Sequence, residues 1–489
     1  MTLGSARDLN SRVWTLLIIF ALLQAAFALF TYSMSLGFDE SIWYYIGRNW
    51  FRQGMVPYSG GVDNKSPLIF AIFGFSDYLF GVSEWFPRML GTVGQTVGLY
   101  FLYRIAGMLA GEKVALLALT IYGLSLLWPS SGGKYVAYPE TYSVAAVIIS
   151  YYLFYKAEGK KNSILSGILG GIGIGFRLSA VFAILGLLLS ASLYRPKSIL
   201  PIIGGLAISL VALMAAAWIS KVNLAEYLEF GFIDNFGRGS PTDHSLIWKL
   251  RNFSSHFIFS GFIIFLPALI AWFFIPTRSN PIFIWWCFAF LGIHIIGIYS
   301  TQHFKEILPP LALMAAMVID YFTRQWHGSP AIVFLTVWII FFPKTLEPFI
   351  SLRNYLFKQP AHADLYCTNK ETVPDEATKK RLGLWIKSAT NETDQVLIAG
   401  YGAEIQAYAE RISPIVYFNT TQTEMAIRKF KSDLGRERAA MVLIPAYSEY
   451  KSEVIPELRE AMDDFVARDY KLDSCVYGFN VYRLKSIMK

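Results

Sequence analysis

Apolar residues run through the first 350 positions in blocks separated by short polar breaks. Each block holds about 17 to 25 residues, the length at which one helix crosses a bilayer. About eleven such spans are read near 13–34, 86–110, 113–130, 140–157, 163–176, 178–194, 199–220, 254–274, 281–300, 308–323 and 330–350. The pair at 163–194 is short, and Gly170, Gly171, Gly173 and Gly175 precede Arg177, so these two helices are expected to be short or partly re-entrant. The first block is too long for a signal-peptide core and no small-residue cleavage pattern follows it; it is read as a retained helix. Two other stretches fall short of a span. Pro67–Gly81 is apolar over about 15 residues, and Ser41–Phe51 mixes Trp43, Tyr44, Trp50 and Phe51 with Arg48. Both read as helices lying along the membrane interface.

Beyond about residue 355 the pattern changes. Short β-like runs appear at Gln395–Ala399, Ile415–Phe418, Met441–Ile444 and Cys475–Leu484, alternating with helical patterns at Ala377–Ser388 and Ser452–Arg468. That alternation predicts a small α/β domain. The expected division is a transmembrane part, 1–354, followed by an α/β domain, 355–489. Gly400-Tyr401-Gly402 lacks the full dinucleotide fingerprint and reads as a strand-to-helix turn.

Composition agrees with the spans. Of 489 residues, 54% are hydrophobic and only 16% charged, well below the roughly 25% of a soluble domain. The net charge of +8 reflects basic residues flanking the spans, which orient them. No basic stripe interleaved with aromatics supports nucleic-acid binding. Arg7 and Arg12, Lys156, Lys160 and Lys161, Arg195 and Lys197, Arg278, and Arg324 all fall on one side if the N-terminus is cytoplasmic. Then 35–85, 131–139, 221–253, 301–307 and everything after 350 lie outside, and the location is the inner (plasma) membrane. Cys287, Cys367 and Cys475 form no Cys-x-x-Cys pair, so zinc and redox motifs gain no support. Cys367 and Cys475 fall outside, where a bridge is permitted.

Charge interrupts the apolar chain in few places, and these carry the candidate chemistry. Asp39 and Glu40 follow the first span, and Asp63, Lys65 and Arg88 share the same outer surface within 50 residues. A carboxylate there can take a proton from an acceptor hydroxyl, and Lys and Arg can hold a phosphate as it leaves. Lys134, Tyr138 and Glu140 lie in the loop after the third span, where they either face a substrate or are solvated. Arg177 is costly at its depth unless it faces a cavity or a partner. His303 and Lys305 fall outside; His303 has no second ligand at metal spacing, and Lys305 is a candidate for phosphate contact.

Phe38-Asp39-Glu40, Asp63-Asn64-Lys65-Ser66-Pro67-Leu68 and Phe86-Pro87-Arg88-Met89-Leu90, in that order, resemble the outer-loop signature of GT-C glycosyltransferases. The resemblance is to the protein O-mannosyltransferase and aminoarabinose transferase group, and His303-Phe304-Lys305-Glu306-Ile307-Leu308-Pro309-Pro310-Leu311-Ala312 resembles a second segment of its bacterial members. It covers about 10–350. It implies a polytopic α-helical membrane protein of GT-C type and transfer of a sugar, with inversion, from a polyprenyl-phosphate donor to a protein, glycolipid or glycan acceptor. Asp39 would be the base, Glu40 its support, and Lys65 and Arg88 the phosphate contacts. No cofactor is required, although a divalent metal could assist. Ser66 stands where the group has a Pro and Phe304 where it often has a Tyr, which bears on how the donor is held. Two competing readings are a lipid-linked sugar transporter or flippase, and a glycan ligase or polymerase. The first wants two related halves, which the chain lacks. The second wants several Arg residues in one outer loop, where only Arg238 and Arg251 occur.

Overall fold

The computed structural model describes residues 3–30, 35–128, 133–156, 159–233, 246–276, 280–296, 299–357, 374–400, 402–416, 424–436, 438–447 and 456–485. Its first helices are α1 (Leu3–Phe30), α2 (Phe38–Gln53), α3 (Pro67–Phe80), α4 (Trp85–Ala110), α5 (Glu112–Ser125), α6 (Pro139–Lys156), α7 (Lys160–Phe176), α8 (Ala180–Tyr194) and α9 (Ile199–Ile219). Then come α10 (Leu246–Phe259), α11 (Leu266–Trp272), α12 (Asn280–Ile296), α13 (Leu308–Gln325) and α14 (Pro330–Phe357). The C-terminal elements are α15 (Glu376–Ala389), β1 (Val396–Ile398), α16 (Ala403–Ala409), α17 (Glu424–Arg436), β2 (Met441–Pro445), α18 (Pro456–Asp469), β3 (Tyr470–Val476) and β4 (Phe479–Leu484).

The chain divides into two compact units. The first comprises 1–32, 85–216 and 239–356; the second draws on 33–84, 217–238 and 357–489. The first outer loop and the C-terminal part therefore share one unit although the sequence separates them widely.

The first unit is a helix bundle in which nearly every apolar block is one helix. Helices α1 and α14 have 28 residues each, about 42 Å of length. Pro196–Ile219 is long and apolar enough to cross a membrane, and it exposes Leu200, Val211, Met214, Trp218 and Ile219. A row of large apolar side chains like this one suits lipid, not water. One expected span is different. Block 254–274 is broken into Ile247–Phe259 and Phe262–Trp272, bent by 88°. The cause is local: Gly261 takes φ +84°, in the left-handed region that glycine tolerates, and Pro267 opens the next helix.

The glycines of α7 serve close packing. A Cβ at Gly167 would lie 2.0 Å from the Ile202 carbonyl oxygen, and one at Gly205 would lie 2.0 Å from that of Ile164. Helices α7 and α9 thus touch backbone to backbone, as small residues permit. The Arg195 guanidinium donates to the carbonyls of Phe154 (2.7 Å) and Tyr155 (3.0 Å). The C-terminal ends of α6 and α8 therefore meet, so α8 returns to the side from which α7 starts; at 17 and 15 residues the two helices are short.

In the second unit the sheet order is β1-β2-β4-β3. Strand β1 pairs parallel to β2, and β4 runs antiparallel to both β2 and β3. The run Cys475–Leu484, expected as one strand, spans a hairpin. Tyr477 (φ +48°) and Gly478 (φ +83°) make the tight turn, both central residues having the positive φ that a two-residue hairpin favours. Ile415 and Val416 are irregular, and 417–418 lie outside the described residues. Cys475 is disulfide-bonded, Cys287 is free, and Cys367 lies outside the described residues.

Helices α2 and α3 pack on each other in this unit. A Cβ at Gly47 would come within 2.3 Å of the Phe70 carbonyl oxygen, so the two backbones are in contact. Trp43 and Tyr44, expected as interface anchors, are fully buried and meet Phe73 edge-on at 5.6 and 5.8 Å between ring centres. Their aromatic area goes into a core rather than a lipid surface. Along α3, Phe75, Tyr78, Leu79 and Phe80 stay exposed, the apolar edge an interfacial helix needs.

Candidate functional site

In the second unit the candidate residues cluster around α2. Asp39 sits in its first turn and is half-buried. Glu40 is buried, and its Oε2 accepts the backbone N–H of Gly37 at 2.9 Å. This is the return half of a capping box: an acid at the third helical position satisfies a donor the helix leaves open. Glu40 thus fixes how the chain enters the helix on which Asp39 stands. One turn further, Trp43 donates its indole N–H to Asp63 Oδ2 at 2.8 Å. Lys65 is half-buried and donates to Asn64 Oδ1 at 2.6 Å. The buried Tyr58 donates its hydroxyl to the Lys65 carbonyl at 2.6 Å. Tyr58 itself has φ +71°, a conformation that costs energy for a bulky side chain and persists where surrounding structure imposes it. Its ring packs on Tyr227 at 5.4 Å. Ser66 occupies the position before α3, and Pro67 opens that helix, where a proline's missing N–H costs nothing.

In the first unit, Arg88, Tyr138, Glu140, Arg177, His303 and Lys305 come from the ends of several helices and gather at one end of the bundle. Arg88 is fully buried in the first turn of α4. One turn on, a Cβ at Gly91 would lie 2.0 Å from the Val136 carbonyl oxygen. Helix α4 therefore rests directly on the 3-10 turn Gly133–Ala137. Tyr142 ties the start of α4 to α6 by donating to the Pro87 carbonyl at 2.7 Å. The same turn receives Lys305, whose amine donates to the Tyr135 carbonyl and, at 2.9 Å, to Thr141 Oγ1. Burial pushes the Lys305 amine down to about 7; Glu140 opposes this and Arg177 adds to it. A cavity of about 10 Å³ beside Lys305, lined also by Gln95, Thr141 and Leu308, has room for about one water.

Arg177 joins α7 to α8 and is buried. It pairs with both Glu140 and Glu306. Ser179 Oγ accepts from Arg177 Nε at 2.7 Å and donates to Glu306 Oε1 at 2.7 Å. His303 Nε2 stands 3.8 Å from Glu140. Arg177 is thus bound to carboxylates and does not reach out to water. Burial raises the Glu306 carboxyl, against the pull of Arg177. Tyr138 is buried edge-on to Tyr135, with ring centres 5.1 Å apart. The Lys134 side chain lies outside the described residues. Among the described residues no three His, Cys, Asp or Glu side chains gather as a metal site.

Sequence reading left out three participants. Glu306 lies inside the quoted His303–Ala312 segment, and an acid among apolar neighbours was its signal. Tyr58 and Ser179 offered none, since their roles are set by contacts across the fold.

No curated protein matches the sequence. Residues 64–220 match the family of dolichyl-phosphate-mannose-protein mannosyltransferases. Among solved structures, the chain is similar to ArnT from Cupriavidus metallidurans bound to undecaprenyl phosphate. Identity is 13% and the TM-score 0.67, over 95% of this chain and 97% of that one. The apo state of that enzyme gives 13% identity and a TM-score of 0.65, over 97% and 98%. The archaeal oligosaccharyltransferase AglB from Archaeoglobus fulgidus, in complex with an inhibitory peptide and a dolichol-phosphate, gives 12% identity and a TM-score of 0.52, over 92% and 72%.

Proposed function

We propose that this chain, a GT-C glycosyltransferase of the protein O-mannosyltransferase and aminoarabinose transferase type, moves a sugar from a polyprenyl-phosphate donor to an acceptor hydroxyl on the extracytoplasmic side of the membrane. Asp39 takes the acceptor proton as the new glycosidic bond forms. The acceptor oxygen attacks the anomeric carbon from the face opposite the phosphate, so the configuration inverts. The C–O bond to phosphate breaks, and polyprenyl phosphate leaves as an anion steadied by Lys65 and Arg88. That leaving group is stable without protonation, so no general acid is needed.

The observation that carries this reading is the placement of Asp39. It stands half-buried in the first turn of α2, on a helix whose entry Glu40 fixes through the Gly37 N–H, in the unit that also holds Asp63 and Lys65. Lys305 assists differently from Lys65. A buried amine near neutrality takes up a proton when an anion arrives beside it, so donor binding is coupled to protonation. The Arg177–Glu140–Glu306 set holds the ends of α6, α7 and α13 together behind it. The 355–489 region forms the extracytoplasmic α/β part, with the N-terminus in the cytoplasm. The polyprenyl phosphates named for ArnT and AglB support the donor class.

The test is transfer or slow hydrolysis of polyprenyl-phosphate sugars by purified protein. Asp39→Asn should abolish turnover with folding intact, and Arg88→Ala should weaken donor binding. Full activity of Asp39→Asn refutes the base, and unchanged donor affinity in Arg88→Ala refutes the phosphate contact.

A further inference from the structure

Tyr408 on α16 is buried in the second unit, far from any motif in the sequence. Its hydroxyl accepts the backbone N–H of Leu36 at 2.8 Å and donates to Glu84 Oε1 at 2.6 Å. Lys380 on α15 pairs with the same carboxylate at 3.1 Å and stands 4.9 Å from the centre of the Tyr408 ring. Leu36 lies just before α2, and Glu84 is the last residue before α4. One phenol therefore joins the two ends of the 36–84 loop, the loop that holds Asp39, Asp63 and Lys65.

Two further contacts fall along the same helix. Tyr45 accepts the Ser413 N–H at 2.8 Å. Arg48 bridges Asp77 at 3.3 Å and Glu410 at 2.7 Å, and Lys387 holds Glu410 at 2.6 Å. Helix α2 is thus fixed by α3 on one side and by the C-terminal region at its entry and along its length. The Leu36 N–H is buried, so without the phenol it has to find another acceptor or move.

We infer that the C-terminal α/β region is a clasp for the catalytic helix, with Tyr408 a positioning residue that sets the direction of Asp39 by closing Leu36 against Glu84. The inference rests on Asp39 being the base. Misplacing a reacting group by about 1 Å can cost on the order of a hundredfold, so a bond at the helix entry has room to matter.

The experiment compares full-length wild type with Tyr408→Phe, which keeps the ring and removes both hydrogen bonds. Hydrogen exchange over 35–45 should quicken, and kcat should fall roughly ten- to a hundredfold with donor KM within about twofold. Lys380→Met, at a partly exposed side chain, gives a second perturbation with the core left packed. It should quicken the same exchange and lower kcat severalfold. A lowered melting temperature with unchanged kcat means Tyr408 only stabilises the fold and overturns the proposal. So does exchange over 35–45 identical to wild type in both variants. Exchange reads the clasp without reference to chemistry, so full turnover by Asp39→Asn sinks the base assignment separately.

Discussion

Replacing Arg177 by Met removes the cation that Glu140 and Glu306 share, and leaves two carboxylates in a site sealed from water. Removing one partner of a buried pair costs about 3–5 kcal/mol, chiefly because the remaining charge has lost its compensation. The helix unit that holds the triad has about 280 residues. At an unfolding entropy of about 2.1 cal/mol/K per residue, that cost lowers the melting temperature by about 5–8 °C. The loss depends on pH with a definite sign. Glu306 is already raised by burial, and without Arg177 it rises further, so the folded state holds a proton that the unfolded state releases above about 4.5. Stability of Arg177→Met is therefore greatest at low pH and declines as pH climbs through the raised value. Melting followed by tryptophan fluorescence in detergent at pH 8 and pH 5 tests this. The deficit should shrink at pH 5. Adding Glu140→Gln and Glu306→Gln should recover most of it at pH 8, since a neutral set no longer needs a cation. A shift under 2 °C at pH 8, or a triple variant no better than the single one, refutes the reasoning.

Three other outcomes are expected. Asp39→Asn should lower kcat by roughly 10²–10⁴, while Glu40→Ala costs about 1–3 kcal/mol of stability by leaving the buried Gly37 N–H without its acceptor and less than tenfold in kcat; equal losses in a transfer assay would merge the two roles. Donor binding at pH 8 should take up close to one proton, measured by calorimetry in two buffers of different ionisation heat. Affinity should weaken as pH rises above about 7, where free Lys305 is neutral; Lys305→Met should abolish the uptake. Gly91→Ala should lower both melting temperature and donor affinity, because its methyl group would push the 133–137 turn off α4 at a cost of about 1–3 kcal/mol. A variant that binds donor normally would detach that turn from the phosphate site.

Much of the helix bundle is legible in the sequence because a bilayer imposes length. Blocks such as 86–110 and 140–157 have nearly the bounds of α4 and α6, since polar breaks cannot lie inside a span. Where a single residue redirects the chain, length says nothing: Gly261 bends one block, and Tyr477-Gly478 folds one strand into a hairpin. Aromatics are ambiguous for another reason. Trp43 and Tyr44 suit an interface or a core equally, and partners in α3 decide it. The charges of the site could be nominated from their rarity in an apolar chain. Their pairing could not, because Arg177 meets acids 37 residues upstream and far downstream, and nothing local marks either. Tyr408 is the extreme case, an ordinary aromatic in a soluble-looking segment.

The Leu36–Tyr408 bond joins residues 372 positions apart, and this distance has a meaning in time. At about 5–20 residues per second, ribosomes need about 20–75 s to make the intervening chain. Through that interval α2 and α3 are made but lack the C-terminal partners of Tyr45 and Arg48, while Trp50 and Phe51 stand beside Arg48 on the same helix. A helix of that composition is suited to rest at a lipid headgroup layer. The mixture that reads in sequence as an interfacial helix thus describes a waiting place, and the folded core is where the helix arrives once the last quarter of the chain is complete.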